Sequence, residues 1–172
     1  QLTDSITINE PAEALTSQYE SVDATCFNDR DGFIQIYPMG GTAPYQYSLN
    51  DKNYDDNAKK IGLKAGSYTF YVRDDNGCKY SEIVDITEPD DFTVDLGADI
   101  NMVLGESVNL SAVTTNGVPS YTYVWTPTQN LSCSDCATPT VDSLQDDRYI
   151  TVMVTDQRGC EAEDDIYIRI TK

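Results

Sequence analysis

The 172-residue chain carries 29 acidic against 11 basic residues, a formal net charge of −18, and is 40% hydrophobic with twelve Tyr, so it can bury a core in one large domain or two smaller ones. That charge excludes nucleic acid as a natural partner, because a polyanion is bound by clustered Lys and Arg that displace counterions, and it reads as solubility outside a cell. The absence of histidine removes Ser-His-Asp catalysis, imidazole metal ligation and the neutral-pH proton shuttle, leaving an enzyme only carboxylates.

The chain opens on QLTDSITINEP with no charged-then-apolar signal segment, which reads as a processed or excised start. No run reaches the ~18 apolar residues of a membrane-spanning helix. ITINEP (6–11) recurs as VDITEP (84–89), so residues 1–11 are expected to be the last strand of a truncated preceding repeat. FIQIYP (33–38) and YQYSL (45–49) read as strands, and DDNAKKIGLKAG (55–66) as a short strand and turn, since its glycines oppose a helix. Tyr68, Phe70 and Val72 alternate along YTFYVRDDNGC (68–78), as do Ile150, Val152 and Val154 along ITVMVTDQRGC (150–160). That is the period of a half-buried strand, and each D-x-x-G that follows supplies the glycine of a tight hairpin. The return strands carry Val84 and Ile86 in the first half and Ile166, Ile168 and Ile170 in the second. SVNLSAV (107–113), YTYVW (121–125) and TPTVDS (138–143) complete the second half.

The halves align, GTAPYQYSL (41–49) answering GVPSYTYVW (117–125) and Asp74, Gly77 and Cys78 answering Asp156, Gly159 and Cys160. The expected fold is all-β: two tandem antiparallel immunoglobulin-like β-sandwich modules, residues 12–90 and 91–172.

The first half, CFNDRDG (26–32), GGTAPYQY (40–47), LKAGSY (63–68), DDNGC (74–78) and ITEP (86–89), resembles the SprB repeat of Bacteroidota cell-surface adhesins. The second, DLGADINMVLGESVNLSAV through YTYVWTPTQNLSCSDC to DQRGC, is similar to the PKD-like modules of gliding-motility-associated proteins, with WTPTQ where many carry an F-G-D-G turn. The resemblance implies a secreted protein exported by the type IX system and displayed outside the outer membrane. In such a protein these modules form a stalk or adhesive unit, its partners being neighbouring repeats of the same chain and surface polysaccharide or another cell. An accessory carbohydrate-binding region of a secreted multidomain hydrolase is the alternative. No catalytic residue and no resident cofactor are expected; adjacent carboxylates such as Asp55 and Asp56 point to opposite faces of a strand and cannot flank one substrate atom.

Calcium is the candidate ion, with Asp29, Asp31, Asp74 and Asp75 as candidate ligands in oxygen-rich turns, against the alternative that these groups satisfy their own backbone. Tyr45, Tyr47, Tyr121 and Trp125 are expected in the core, and Tyr54, in a polar loop, is the candidate glycan contact. Ser5 and Ser143 lie in Asp-Ser-apolar triplets that resemble O-glycosylation sites of that phylum.

Five cysteines require an odd one to be explained. Zinc lacks further soft ligands, and a redox dithiol lacks its helix, so Cys133 and Cys136 read as a local staple. The second module carries six extra residues between aligned landmarks, and LSCSDC lies in that connection. For Cys26 two pairings stand: with Cys78 in its own module, or with Cys160 across the junction. Head-to-tail stacking favours Cys160, leaving Cys78 for a cysteine of the missing repeat.

Overall fold

The computed structural model describes residues 13–172, all-β and without a helix among them; the expected strand at 1–11 and Ser5 lie outside the described residues. The chain divides into two compact units. One runs to Ala24 and resumes from Asn28 to Glu88, and the other takes Thr25–Phe27 together with Pro89–Lys172. That inserted tripeptide is a feature that a division by sequence position does not contain.

In the first unit β1 (Thr16–Val22), β2 (Gly32–Met39), β3 (Gln46–Ser48), β4 (Lys59–Leu63), β5 (Gly66–Arg73) and β6 (Lys79–Ile86) build two three-stranded antiparallel sheets, ordered β1-β2-β4 and β3-β5-β6. Alternation decides which side chains meet between them: Ile34 and Ile36 from β2, Leu63 from β4, Tyr47 from β3, Phe70 and Val72 from β5, Val84 and Ile86 from β6. Each such aliphatic or aromatic side chain contributes about 1.5–3 kcal/mol by leaving water. Gly32 starts β2 where a Cβ would come within 2.9 Å of both Ile86 Cγ2 and the Leu63 carbonyl oxygen, so only glycine lets the two sheets approach there. Gly62, at φ 75, is the extra residue of a bulge in β4, since Gly32 pairs with Leu63 and the next residue, Phe33, with Ile61.

The second unit contains β7 (Thr93–Asp95), β8 (Ile100–Val103), β9 (Ser107–Asn109), β10 (Val113–Thr115), β11 (Thr122–Thr126), β12 (Thr140–Asp142), β13 (Arg148–Thr155) and β14 (Glu161–Thr171). Its largest sheet has the order β11-β13-β14-β8, and β7 pairs with β10 and β9 with β12. Trp125, Val141, Leu144, Ile150, Val152, Val154, Ile166 and Ile168 form the centre of its core.

Two local features depart from the sequence reading. SVNLSAV divides into β9 and β10, because Leu110 and Ala112 still donate to the carbonyls of Pro139 and Ala137 before Val113 changes partner to β7. β8 also pairs in parallel with β14, Ile168 opposite Ile100, whereas the expectation was wholly antiparallel. The first strand of this unit is kinked at Gly97, φ 81, whose amide donates to Asp95 Oδ1 at 2.8 Å. The kink lets its two halves, β7 and β8, serve different sheets.

Candidate functional site

Continuing the alternation of β5 by one step, Phe70, Val72, Asp74, brings a carboxylate to the buried side, and β13 does the same with Val152, Val154, Asp156. Both Asp residues are buried, at 4% and 5% exposure, and each is surrounded by backbone amides. Asp74 Oδ1 accepts from the Cys78 amide at 2.7 Å and Oδ2 from the Thr42 amide at 3.0 Å. Asp156 Oδ1 accepts from the Arg158 and Cys160 amides at 2.8 and 2.9 Å, and Oδ2 from the Val118 amide at 2.9 Å. Thr42 and Val118 are aligned positions of the repeat, and their carbonyls accept in turn from Asp75 and Gln157 at 2.9 and 3.0 Å. Each carboxylate thus ties the hairpin tip to the loop that precedes an aligned strand, β3 in the first unit and β11 in the second. Burial works against the charge of Asp156, but the Val118, Cys160 and Arg158 amides, with the Arg158 guanidinium, outweigh it and hold the carboxyl below the usual carboxylate range.

The four candidate calcium ligands are not brought together. Asp74 spends its oxygens on amides, Asp29 and Asp31 lie in the β1–β2 connection away from the β5–β6 turn that holds Asp74 and Asp75, and no group of three or more His, Cys, Asp or Glu among the described residues is placed to hold a metal ion.

The inserted tripeptide Thr25–Phe27 is a strap whose stems are fastened to the exit of β6. Asp23 Oδ1 accepts from the Thr87 amide at 2.8 Å, the Ala24 amide donates to the Thr87 carbonyl at 2.9 Å, and the Asn28 amide donates to Glu88 Oε2 at 2.7 Å. The Thr87 amide and hydroxyl hold the Asp23 carboxyl below its ordinary range. Asn28 sits at φ 62, a left-handed conformation that Asn tolerates better than most side chains, and it turns the strap back. The strap and the segment leading to Pro89 therefore leave the first unit together. Cys26 is disulfide-bonded to Cys160 with their Cα atoms 5.6 Å apart, and Cys26 packs on the core of the second unit. The alternative Cys26–Cys78 pairing is not the one present: Cys78 carries a free, exposed thiol, because the strap that holds Cys26 belongs to the other unit. Closing so long a loop, 134 residues in separation, contributes about 5 kcal/mol on the chain-entropy estimate.

LSCSDC forms the second disulfide, Cys133–Cys136, with Cα atoms 6.0 Å apart. Its loop lies against β11 and β12: the Trp125 amide donates to the Ser134 carbonyl at 3.1 Å, the Trp125 indole Nε1 donates to the Cys136 carbonyl at 2.8 Å, and Ser132 and Thr140 exchange hydrogen bonds at 2.8 and 2.9 Å. A fully buried indole needs a partner for its N–H, and the stapled loop supplies it.

Tyr54 is half-buried. The Arg73 guanidinium lies 4.3 Å from its ring centroid, and its hydroxyl donates to Asp51 Oδ1 at 2.6 Å. Asp51 also pairs with Lys79 at 2.6 Å, and Lys79 and the Tyr54 hydroxyl lower its carboxyl from the ordinary value. One ring face is therefore already taken by a cation. Tyr45 and Tyr121 donate their hydroxyls to the carbonyls of Gly40 and Gly117 at 2.7 and 3.0 Å, as loop anchors at aligned positions. Ser143 is exposed at φ 57 in the turn after β12, its hydroxyl donating to Asp142.

The Asp locks were visible in the sequence as paired D-x-x-G-C turns, and the inward step of the alternation is the signal that would have assigned them a structural role. For Glu88 the only signal is the repetition of ITINEP in VDITEP.

Residues 19–53 match the SprB repeat family model. The matched stretch contains the whole strap and the first half of the sandwich, and it suggests an adhesin-type repeat of an extracellular cell-surface protein. No curated protein sequence matches the chain. Among solved structures, the N-terminal eight immunoglobulin domains of Down Syndrome Cell Adhesion Molecule are similar at 14% identity and TM-score 0.45, covering 92% of this chain and 25% of that one. The two immunoglobulin domains of DIP-gamma are similar at 10% identity and TM-score 0.43, covering 90% and 98%. A C-terminal fragment of intimin is similar at 15% identity and TM-score 0.41, covering 90% and 64%. The chain thus spans a quarter of the length of the first of these. The described residues are all-β in mostly antiparallel sheets, and no helix among them is long and apolar enough to cross a membrane.

Proposed function

We propose that this chain is a non-catalytic segment of a large secreted adhesin, an SprB-type repeat followed by a PKD-like module, and that it serves as a stiff stalk outside the outer membrane of a gliding Bacteroidota cell, touching surface polysaccharide or a neighbouring cell. The observation that carries this reading is the strap. A stretch inside the SprB match sends Cys26 into a bond with Cys160 of the following module, so the junction has a covalent tether besides the peptide at Glu88–Pro89. A second tether removes hinge freedom, which is what a load-transmitting stalk needs and a passive linker does not.

Small-angle scattering tests the stalk. The Cys26→Ser, Cys160→Ser double variant is expected to show a broader distribution of maximum dimensions than the parent chain, and an unchanged distribution would remove the stiffening role. Protease treatment of intact native cells tests the location: peptides of this chain should be released, and full protection would contradict surface display. Glycan-array binding that is lost on Tyr54→Ala would identify active adhesion as opposed to spacing.

A further inference from the structure

The two hairpin tips that end in cysteine share one backbone arrangement and differ in what becomes of the cysteine. In both, the Asp carboxylate holds the cysteine amide, the Asp amide returns to the cysteine carbonyl (3.0 Å at Asp74, 2.9 Å at Asp156), and the glycine amide returns to the Asp carbonyl at 3.0 and 3.1 Å. Cys160 is 5% exposed because the strap Thr25–Phe27 belongs to its unit and Cys26 is bonded to it. Cys78, presented by the same geometry, is exposed and free. Beside it lies a hollow of about 360 Å³ lined by Glu13, Ala14, Leu15, Gly41, Asp74 and Lys79. One wall of that hollow, Glu13 to Leu15, lies one residue after ITINEP, the counterpart of the segment to which the strap stems are fastened at Thr87 and Glu88.

We infer that Cys78 is the receiving half of a repeated latch, and that its partner is the cysteine of a Cys-Phe strap on a further SprB-type module joined through ITINEP. The inference rests on the proposed repeat architecture. Cys160 carries the argument, since it is this hairpin tip bonded to that strap. Bond formation joins the two Sγ atoms with loss of two protons and two electrons, the electrons passing to a disulfide-bearing thiol oxidant that becomes a dithiol. The latch is directional: each module gives a strap cysteine to the next and offers a hairpin cysteine to the one before.

The test is a chain in which residues 1–11 are replaced by one more copy of residues 12–89, secreted through an oxidising compartment, alkylated without reduction and mapped by peptide mass spectrometry. Expected are two latches, the strap cysteine of the added copy linked to Cys78, and Cys26 linked to Cys160, with the hairpin cysteine of the added copy now the alkylated one. Cys26→Ser in the added copy alone should return Cys78 to full alkylation. The Cys26–Cys160 peptide reports internally that the modules folded. If it is present while Cys78 stays fully alkylated, the inference is overturned and the reading of the existing junction stands; if neither bond forms, both are overturned.

Discussion

Asp156→Ala tests how the hairpin tip is held. The variant removes one buried carboxylate and leaves three amides, on Val118, Arg158 and Cys160, without their acceptor. A hydrogen bond to a charged group contributes about 1.5–3 kcal/mol, but three amides share one carboxylate and its desolvation offsets part of the gain, so the net loss is about 3–4 kcal/mol. For a unit of this size each kcal/mol moves the unfolding midpoint by roughly 4–8 °C, so the midpoint should fall by roughly 12 °C or more. The chain supplies its own probe: its single Trp, Trp125, is fully buried in the core of the same unit, so the fluorescence transition follows that unit. Asp156→Asn keeps one acceptor but turns an N–H toward the other amides, and should cost about 2 kcal/mol. The pH dependence has a fixed sign. The folded carboxyl titrates below its unfolded value, so its contribution is present above about pH 4 and is lost as pH falls through the folded value. The stability gap between parent and Asn variant should therefore narrow from pH 7 to pH 2. A loss under about 1 kcal/mol for Asp156→Ala, or a gap that does not narrow in acid, would refute the lock.

Three further outcomes are expected. Gly117→Ala places a Cβ 2.5 Å from Phe92 Cε2 and 2.8 Å from Tyr121 Cε1, so it should split the Phe92–Tyr121 stack and destabilise the second unit by about 1–3 kcal/mol in denaturant titration, whereas Gly77→Ala meets no atom within 4 Å and is limited by its φ of 83 alone. Cys133→Ser with Cys136→Ser should destabilise the second unit, followed by Trp125 fluorescence, by no more than about 2 kcal/mol, because the loop they close is short, while the indole emission shifts as its Cys136 carbonyl partner loosens. Adding millimolar calcium, or chelator, should leave both units' unfolding midpoints within about 1 °C, since saturating a real site would stabilise by RT ln(1 + [L]/Kd); a calcium-dependent rise would restore the oxygen-rich turns as ligands.

Much of the fold was legible because it is local. Alternation along 68–72 and 150–154 marked the inward faces, and the glycines at 77 and 159 marked the hairpins, as they stand in the structure. Period-two patterning reports one face of one strand, and turn chemistry reports the next few residues. The division of SVNLSAV between two partners, and the parallel seat of β8 on β14, were not legible, because each is a choice among distant partners that any exposed β edge could satisfy. Tyr54 likewise read as an exposed aromatic until Arg73, nineteen positions away, covered one ring face.

By itself the sequence determined the composition-level exclusions, the duplication, the two all-β modules and the positions at which cysteines recur at hairpin tips. Only the tertiary structure decided what those residues do together: that Asp74 and Asp156 hold backbone amides, that Glu88 and Asp23 fasten a strap, and that this strap carries Cys26 to Cys160 and leaves Cys78 open. The physical reason is distance along the chain. A cysteine's neighbours in sequence set its strand or turn, but its partner, 134 positions away, is set by which module its strap covers.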